Sequence, residues 1–379
     1  MSRSPAQVAA QSHEFWRRIG QTVAAHVVML SDVGLIDDET KTTLLAAIDN
    51  VSGGESPDTT IAGLVSHFDE RLDVQTPPGV SGAARVGRAT ADTVATALRL
   101  VLRDRLLDLG DAVDTVRRAA LELASAHATT LLPAYVAGKP AQPTNLGHFL
   151  GGLIGPLGRT AARLPAVYAE VNRSPLGAGT LTSTGMPIDR ERAAELLGFD
   201  GLVVNTFDAV STIDDLVACA DLAADVATAV RRLLVELLFW LRTEPGSFFL
   251  ADAWTGATSD MPQLRLPVRL NALVGRARRV ESGARAVRVA AADLGYEPIA
   301  WAIDDAWAHL EATLVGGDDV LGETATLLAN DLEVNRAYLA NRAGRGHTTS
   351  SDLADFLMIE EQLDPGTATA IASRTIAQI

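Results

Sequence analysis

The feature that most constrains this chain is the length of its helical stripes. Val94, Leu98, Leu102, Leu106, Leu109, Val113, Val116, Ala120 and Leu123 recur every three or four residues, the spacing that lines one face of an α-helix. That helix begins near Thr90 and ends before Pro133. A second stripe, Leu216, Ala220, Ala223, Val226, Val230, Leu233, Leu237 and Leu241, predicts a helix from about Asp214 to Arg242, on the order of 45 Å long at ~1.5 Å per residue. A glycine-rich segment from Thr144 to Asn172 carries Gly147, Gly151, Gly152, Gly155 and Gly158, with kinks expected at Pro156 and Pro165. Two more long helices follow Pro267 and Pro298. Helices of this length satisfy their apolar faces only against one another, so the pattern predicts an all-α chain around a long five-helix bundle. An apolar fraction of 47% with only 5% aromatics gives an Ala, Leu and Val core, which suits helices better than sandwiches. No strand-like alternation of useful length is visible.

The bundle has flanks. Phe15, Ile19, Val23 and His26 begin a first helical region, Asp37 and Asp38 precede a second helix through Ile48, and a third covers Ile61 to Leu72. Beyond residue 330 the helices shorten, and Thr348, Thr349 and Ser350 offer an N-terminal cap to DLADFL. The expected division is 1–88, 89–330 and 331–379. A net charge of -15 argues against a nucleic-acid partner, since no basic face offsets phosphate. No run reaches the ~18 apolar residues of a membrane span, and the first residues lack a signal-peptide core. The reading is a cytoplasmic protein with no membrane partner. Cys219 lies in an apolar helical run and reads as a buried, inert thiol. No His, Cys, Asp or Glu grouping has metal spacing, and no glycine-rich phosphate loop follows a strand, so neither metal nor cofactor is expected.

Between two of the long helices lies GATSDMPQLRLP, residues 256–267. Gly256, Thr258, Ser259, Pro262 and Pro267 favour turns. From spacing alone it is a connector; loops spliced into a periodic scaffold are also where chemistry sits.

Several motifs then converge. NRSPLGAGTLTSTGMPIDRERAAELLGF at 172–199 resembles N-x-S-P-L-G-A-G-A-L-A-G-T, P-I-D-R-E and L-G-F of the fumarase/aspartase superfamily, argininosuccinate lyase above all. NTFDAVSTIDD from Asn205 is similar to N-S-L-D-A-V-S-D-R-D, VATALRL from Val94 to V-A-T-D-L-R-L, and AQP at 141–143 with Gly147 and His148 to A-Q-P-x-x-x-G-H. DLADFL at Asp352 is similar to the small C-terminal domain, and GATSDMPQLRLP to the mobile catalytic loop G-S-S-x-M-P-x-K-x-N-P. The resemblance implies three domains per subunit and a homotetramer around a twenty-helix core. Its active sites are assembled from three subunits and act on a small-molecule substrate. It also implies β-elimination: a loop serine removes a proton beside a carboxylate, donors and a cation stabilise the dianion, and a C–N or C–O bond breaks.

Carried over residue by residue, the family's catalytic serine falls on Thr258 and its neighbour on Ser259. The carboxylate-binding lysine becomes Leu264 and the asparagine Leu266, with Arg265 between them as a replacement cation. In R-S-R-N-D, Arg88 and Asp92 are kept while Ala89, Thr90 and Ala91 intervene. The histidine of T-H falls on Ala137, the tyrosine of A-Y-N-K-D becomes Trp301, its asparagine Ala302, and a lysine further on His309. The catalytic candidates are therefore Thr258 and Ser259. The substrate-binding candidates are Arg88, Thr90, Gln142, Leu264, Arg265, Leu266, Trp301 and His309. Each has a plain alternative: the hydroxyls shape the loop, Arg88 makes a structural salt bridge, Gln142 holds the bundle, and His309 is a helix histidine. Scaffold motifs persist while substrate-binding polar residues turn apolar or small. The expectation is a C–N or related lyase of specialised metabolism that does not act on argininosuccinate. The alternatives are an inactive homologue with a structural or binding role, or a pocket turned to a reaction other than elimination.

Overall fold

The structure, a computed structural model, describes residues 5–257, 260–261 and 263–378, with side chains from His13 onward. The chain is all-α. In order it forms α1 (Pro5–Asp32), α2 (Asp38–Ser52), α3 (Ile61–Gln75) and α4 (Thr90–Ala126). A hairpin follows, β1 (Leu131–Val136) and β2 (Lys139–Asn145), then α5 (Leu146–Ala161), α6 (Leu164–Val171), α7 (Arg190–Leu196), α8 (Thr206–Ser211) and α9 (Asp214–Thr243). After β3 (Phe248–Leu250) come α10 (Val268–Ala292), α11 (Ile303–Thr326), β4 (Leu332–Val334), α12 (Arg336–Ala343), α13 (Ser350–Ile359) and α14 (Pro365–Gln378). Two compact units result. The first holds Met1–Gly110, Ala162–Asp225 and Val280–Gly316; the second holds Asp111–Ala161, Val226–Arg279 and Gly317–Ile379.

In the first unit α1, α2 and α3 pack together. Trp16 is fully buried, its ring 5.0 Å from Phe68 and its Nε1 donating to Val51 O at 2.8 Å. Asp37 caps α2 by accepting from Thr40 N at 2.8 Å. From Ala91 to Leu102 every residue of α4 is buried, the mark of a helix surrounded on all sides. Arg99 there is buried, ion-paired with Asp215 of α9 at 3.3 Å and donating to Glu170 O at 2.8 Å. Gly283 of α10 lies so close to Thr313 of α11 that a Cβ would collide with its hydroxyl.

In the second unit Tyr135, Phe149 and Phe248 ring Trp240, with centroids 5.2 to 5.9 Å away. Glu323 of α11 holds Arg269 at 3.1 Å and Arg276 at 2.5 Å, both from α10.

Four expectations change. Strands do form, as two short antiparallel pairs, β1 with β2 and β3 with β4. Pro133, Pro140 and Pro143 hide the first pair from a pattern search, because proline is tolerated only on strand edges. The glycine-rich segment is two helices: Pro156 stays inside α5, and Pro165 sits in the first turn of α6, where its missing N–H is harmless. Gly147 does meet a neighbour closely, a Cβ there lying 2.8 Å from Ala124 O, whereas Gly151 and Gly152 face open space. Thr349 makes no capping bond to α13; Thr348 instead donates to Ala343 O at 2.5 Å.

Candidate active site

The first unit carries the lead-in to α4. Arg88 is 2% exposed and fully committed, with Nη2 on Asp69 Oδ1 at 2.6 Å, Nη1 on Thr93 Oγ1 at 3.2 Å and Nε on Ala84 O at 3.0 Å. Two residues on, Thr90 opens α4 and is half-buried. From α1, His26 donates through Nε2 to Val86 O at 2.8 Å; burial pushes its pKa down to about 4, so the ring is neutral. Trp301 ends a 3-10 turn, Ile299–Trp301, and stands 59% exposed. The turn rests on α3 and α8. His309, on α11, is partly exposed and lies 3.8 Å from Asp305 one turn earlier. The shared support is α3: its Asp69 holds Arg88, and its first N–H, on Ile61, donates to Asp304 of α11 at 2.9 Å. The lead-in and the approach to α11 are thus braced against one helix.

The second unit carries the loop at residues 256–267 and the hairpin. Gly256 and Leu266 exchange two backbone hydrogen bonds, each 2.9 Å, which close the base of the loop. Before it, Trp254 is fully buried, donates to Asp331 at 2.7 Å and lies under the Arg269 guanidinium at 4.6 Å. Arg265 is ion-paired with Asp252 across the base. Leu264 is half-buried and Leu266 is 42% exposed. Thr258 and Ser259, the catalytic candidates, lie outside the described residues. Gln142 is exposed on β2, its Nε2 donating to Ser351 Oγ at 3.1 Å. His148 is exposed rather than packed between helices, bonded to Thr144 Oγ1 at 2.8 Å.

At the hairpin tip, where the resemblance puts the lost histidine, Ala137 and Gly138 both have positive φ, 49° and 75°. Behind the tip Glu244 is buried, with bonds from Tyr135, from Tyr338 at 2.7 Å and from Arg342 at 2.7 to 2.9 Å. Burial works to raise the Glu244 pKa, but these donors outweigh it and hold it low; burial and Glu244 push Tyr135 up to about 12. Nothing in the spacing marked Glu244, which simply follows the α9 stripe.

Sequence reasoning noted Asp92 only as retained. In the structure it is fully buried and accepts from Ala89 N at 3.0 Å, Gly177 N at 3.1 Å and Gly179 N at 2.9 Å. Burial raises its pKa to about 6, against those three N–H groups and Arg88. A carboxylate three residues into a helix, facing back to the N–H before it, is a capping signal that the sequence does contain. Among the described residues no group of His, Cys, Asp and Glu could hold a metal, and no helix is long and apolar enough to cross a membrane.

The family described as Lyase matches residues 56–282. Argininosuccinate lyase of Methanosarcina barkeri is 32% identical over 94% of this chain and 71% of its own length. An EDDS lyase variant with bound fumarate aligns at a TM-score of 0.83 and 26% identity, covering 100% of this chain and 76% of that one. A class II fumarase from Schistosoma mansoni, 14% identical over 96% of this chain and 84% of its own, shares the fold at a TM-score of 0.79.

Proposed function

Because this chain belongs to the lyase family of the fumarase/aspartase superfamily, with argininosuccinate lyases among its relatives, we propose that it is a C–N or related C–X lyase of specialised metabolism acting on a small molecule other than argininosuccinate. The observation that carries this is the base of the 256–267 loop. It is closed by the Gly256–Leu266 pair, while the positions of the family's lysine and asparagine hold Leu264 and Leu266. A loop with its closure retained and its carboxylate clamp replaced suits a less polar substrate, or one whose leaving group departs without an acid. Two lost charged or amide partners remove several kcal/mol of transition-state stabilisation for a dicarboxylate, on the order of ~3 kcal/mol each. The step is an elimination. The ionised oxygen of a loop hydroxyl, Thr258 or Ser259, its proton already released to solvent, takes the proton from the activated carbon and becomes the neutral hydroxyl, that C–H electron pair forms the double bond, and the C–X bond breaks with its pair leaving on X. Thr90, Leu264, Leu266, Trp301 and His309 then face substrate, and the reading includes a cytoplasmic homotetramer with composite sites, built from the three regions 1–88, 89–330 and 331–379.

A second reading, a binding protein without turnover, has its own support. Both cations offered for an anion are already paired, Arg88 with Asp69 and Arg265 with Asp252. One experiment separates the two. The purified chain is incubated with β-amino carboxylates whose amine leaving group is graded from alkyl to aryl, each as the N-substituted aspartate and as the less polar N-substituted 3-aminopropanoate, and products are followed by mass spectrometry. Elimination that Thr258→Ala or Ser259→Ala abolishes supports the lyase reading; binding without product across the series supports the second; turnover unchanged in both variants sinks the loop-base assignment.

A further inference from the structure

Asp92 joins two stretches that are 85 residues apart in sequence. Its Oδ1 takes the N–H of Ala89, on the lead-in to α4; its Oδ2 takes those of Gly177 and Gly179. Both glycines have positive φ, 79° and 65°, and this left-handed turn is what lets alternate N–H groups converge on one oxygen. Each side is separately braced. In the turn, Ser183 has φ 60°, where the resembled motif has glycine. Its N–H donates to Ala178 O at 2.7 Å and its Oγ to Gly177 O at 2.9 Å. Arg190 donates to Leu176 O and to Val203 O, both at 3.0 Å. On the lead-in, Arg88 holds Asp69 and His26 holds Val86 O. Asp92 sets one braced piece against the other.

We propose that Asp92 is a positioning residue, which fixes the lead-in at Arg88–Ala91 against the turn at Gly177–Gly179 and thereby sets the substrate-facing backbone at Thr90. The placement of Thr90 at substrate rests on the lyase reading. The energetics separate this role from simple stabilisation. Burial of Asp92 outweighs its three N–H bonds, so its pKa rises to about 6, and the ionised group is a burden on stability above that pH. Asparagine removes the burden but presents an NH₂ group where Ala89 N–H needs an acceptor. The charged groups facing Asp92 are Arg88 and Arg190; Asp69 is occupied by Arg88, and His26 is neutral above about 4.

The test is amide hydrogen exchange on the full chain, with thermal unfolding measured alongside. For Asp92→Asn at neutral pH the melting temperature is expected to stay at or above that of the parent, while segments 84–93 and 174–184 exchange together about tenfold faster and α3 and α9 do not change. The unmutated chain supplies a second measurement: the closed form binds the Asp92 proton more tightly than the opened one, so the same two segments gain protection as pH falls through about 6, once intrinsic exchange is corrected, and Asp92→Asn shows no such change. A uniform loss of protection, or unaltered exchange in these segments at both pH values, overturns the proposal. With any substrate found in the elimination series, Asp92→Asn is expected to raise KM with a pH profile that has lost its inflection near 6. If the series yields no turnover, the lyase reading fails while the exchange result still decides the role of Asp92.

Discussion

Around Arg88 the polar groups have partners inside the fold: Asp69, Thr93, Ala84 O, and through Asp92 the turn at Gly177. Around Leu264 and Leu266 the loop closes by two backbone bonds and an exposed ion pair, and its described side chains are exposed or half-buried. In the first stretch the charge is buried and paired; in the second Leu264 and Leu266 flank an exposed cation, Arg265. A buried, paired charge cannot be removed singly without large loss, whereas an exposed one can be replaced at little cost. The difference teaches where substitution is cheap: in the loop, without disturbing the core.

The most severe way to break this contrast is Asp69→Ala. It leaves the Arg88 guanidinium 2% exposed without its carboxylate, and the expected loss is about 3–5 kcal/mol, read from urea unfolding. A loss below ~1 kcal/mol would show the lead-in to be as tolerant as the loop.

Next in size is a pH effect. The folded pKa of Asp92, about 6, exceeds its ordinary value of 3.8, so the folded form binds the proton more tightly. Its contribution to stability is therefore complete below the unfolded value and is lost as pH rises through about 6. A shift of two units corresponds to roughly 3 kcal/mol. Asp92→Asn should erase that slope between about pH 4 and 6, with urea midpoints as the readout.

What was legible in the sequence follows the same division. The start of α4 and both ends of α9 were found within a residue because buried leucines and valines repeat at the helical period, while the end of α4, bounded only by Pro133, falls earlier, at Ala126. Asp37 was noted only as preceding α2, and the structure makes it the cap; the cap named in the sequence, at Thr348 to Ser350, makes no capping bond at Thr349. Glu244, the Gly177–Gly179 side of Asp92 and the β1–β2 hairpin were not legible, because their partners lie far along the chain or their strands contain prolines. Of the residues the resemblance offered for the site, spacing could not show that Arg88 is buried and paired while Trp301 is exposed.

The hairpin tip offers a smaller test on the permissive side. Ala137 takes φ 49° before Gly138 at 75°, a two-residue turn for which Asn-Gly is the preferred pair. An alanine in the left-handed region costs roughly 1–2 kcal/mol. Ala137→Asn should therefore stabilise the protein by about 0.5–1 kcal/mol, measured as a raised melting temperature. Destabilisation would mean that the tip is held by contacts its backbone does not reveal.

The smallest expected effect is at Arg265. Its pair with Asp252 is 54% and 88% exposed on the two sides, so water already screens most of the attraction. Holding two mobile side chains together offsets much of what remains. Arg265→Ala should change unfolding free energy by no more than about 0.5 kcal/mol, and added salt should leave even that difference smaller. Arg88→Ala, by contrast, strands Asp69 in a partly buried site and should not show such tolerance. If Arg265→Ala proves as damaging as Asp69→Ala, the loop is a structural strut, and its leucines record packing rather than a change of substrate. If stability holds while binding of an elimination substrate weakens, Arg265 is the cation the loop has left for ligand, with Asp252 its partner only until substrate arrives.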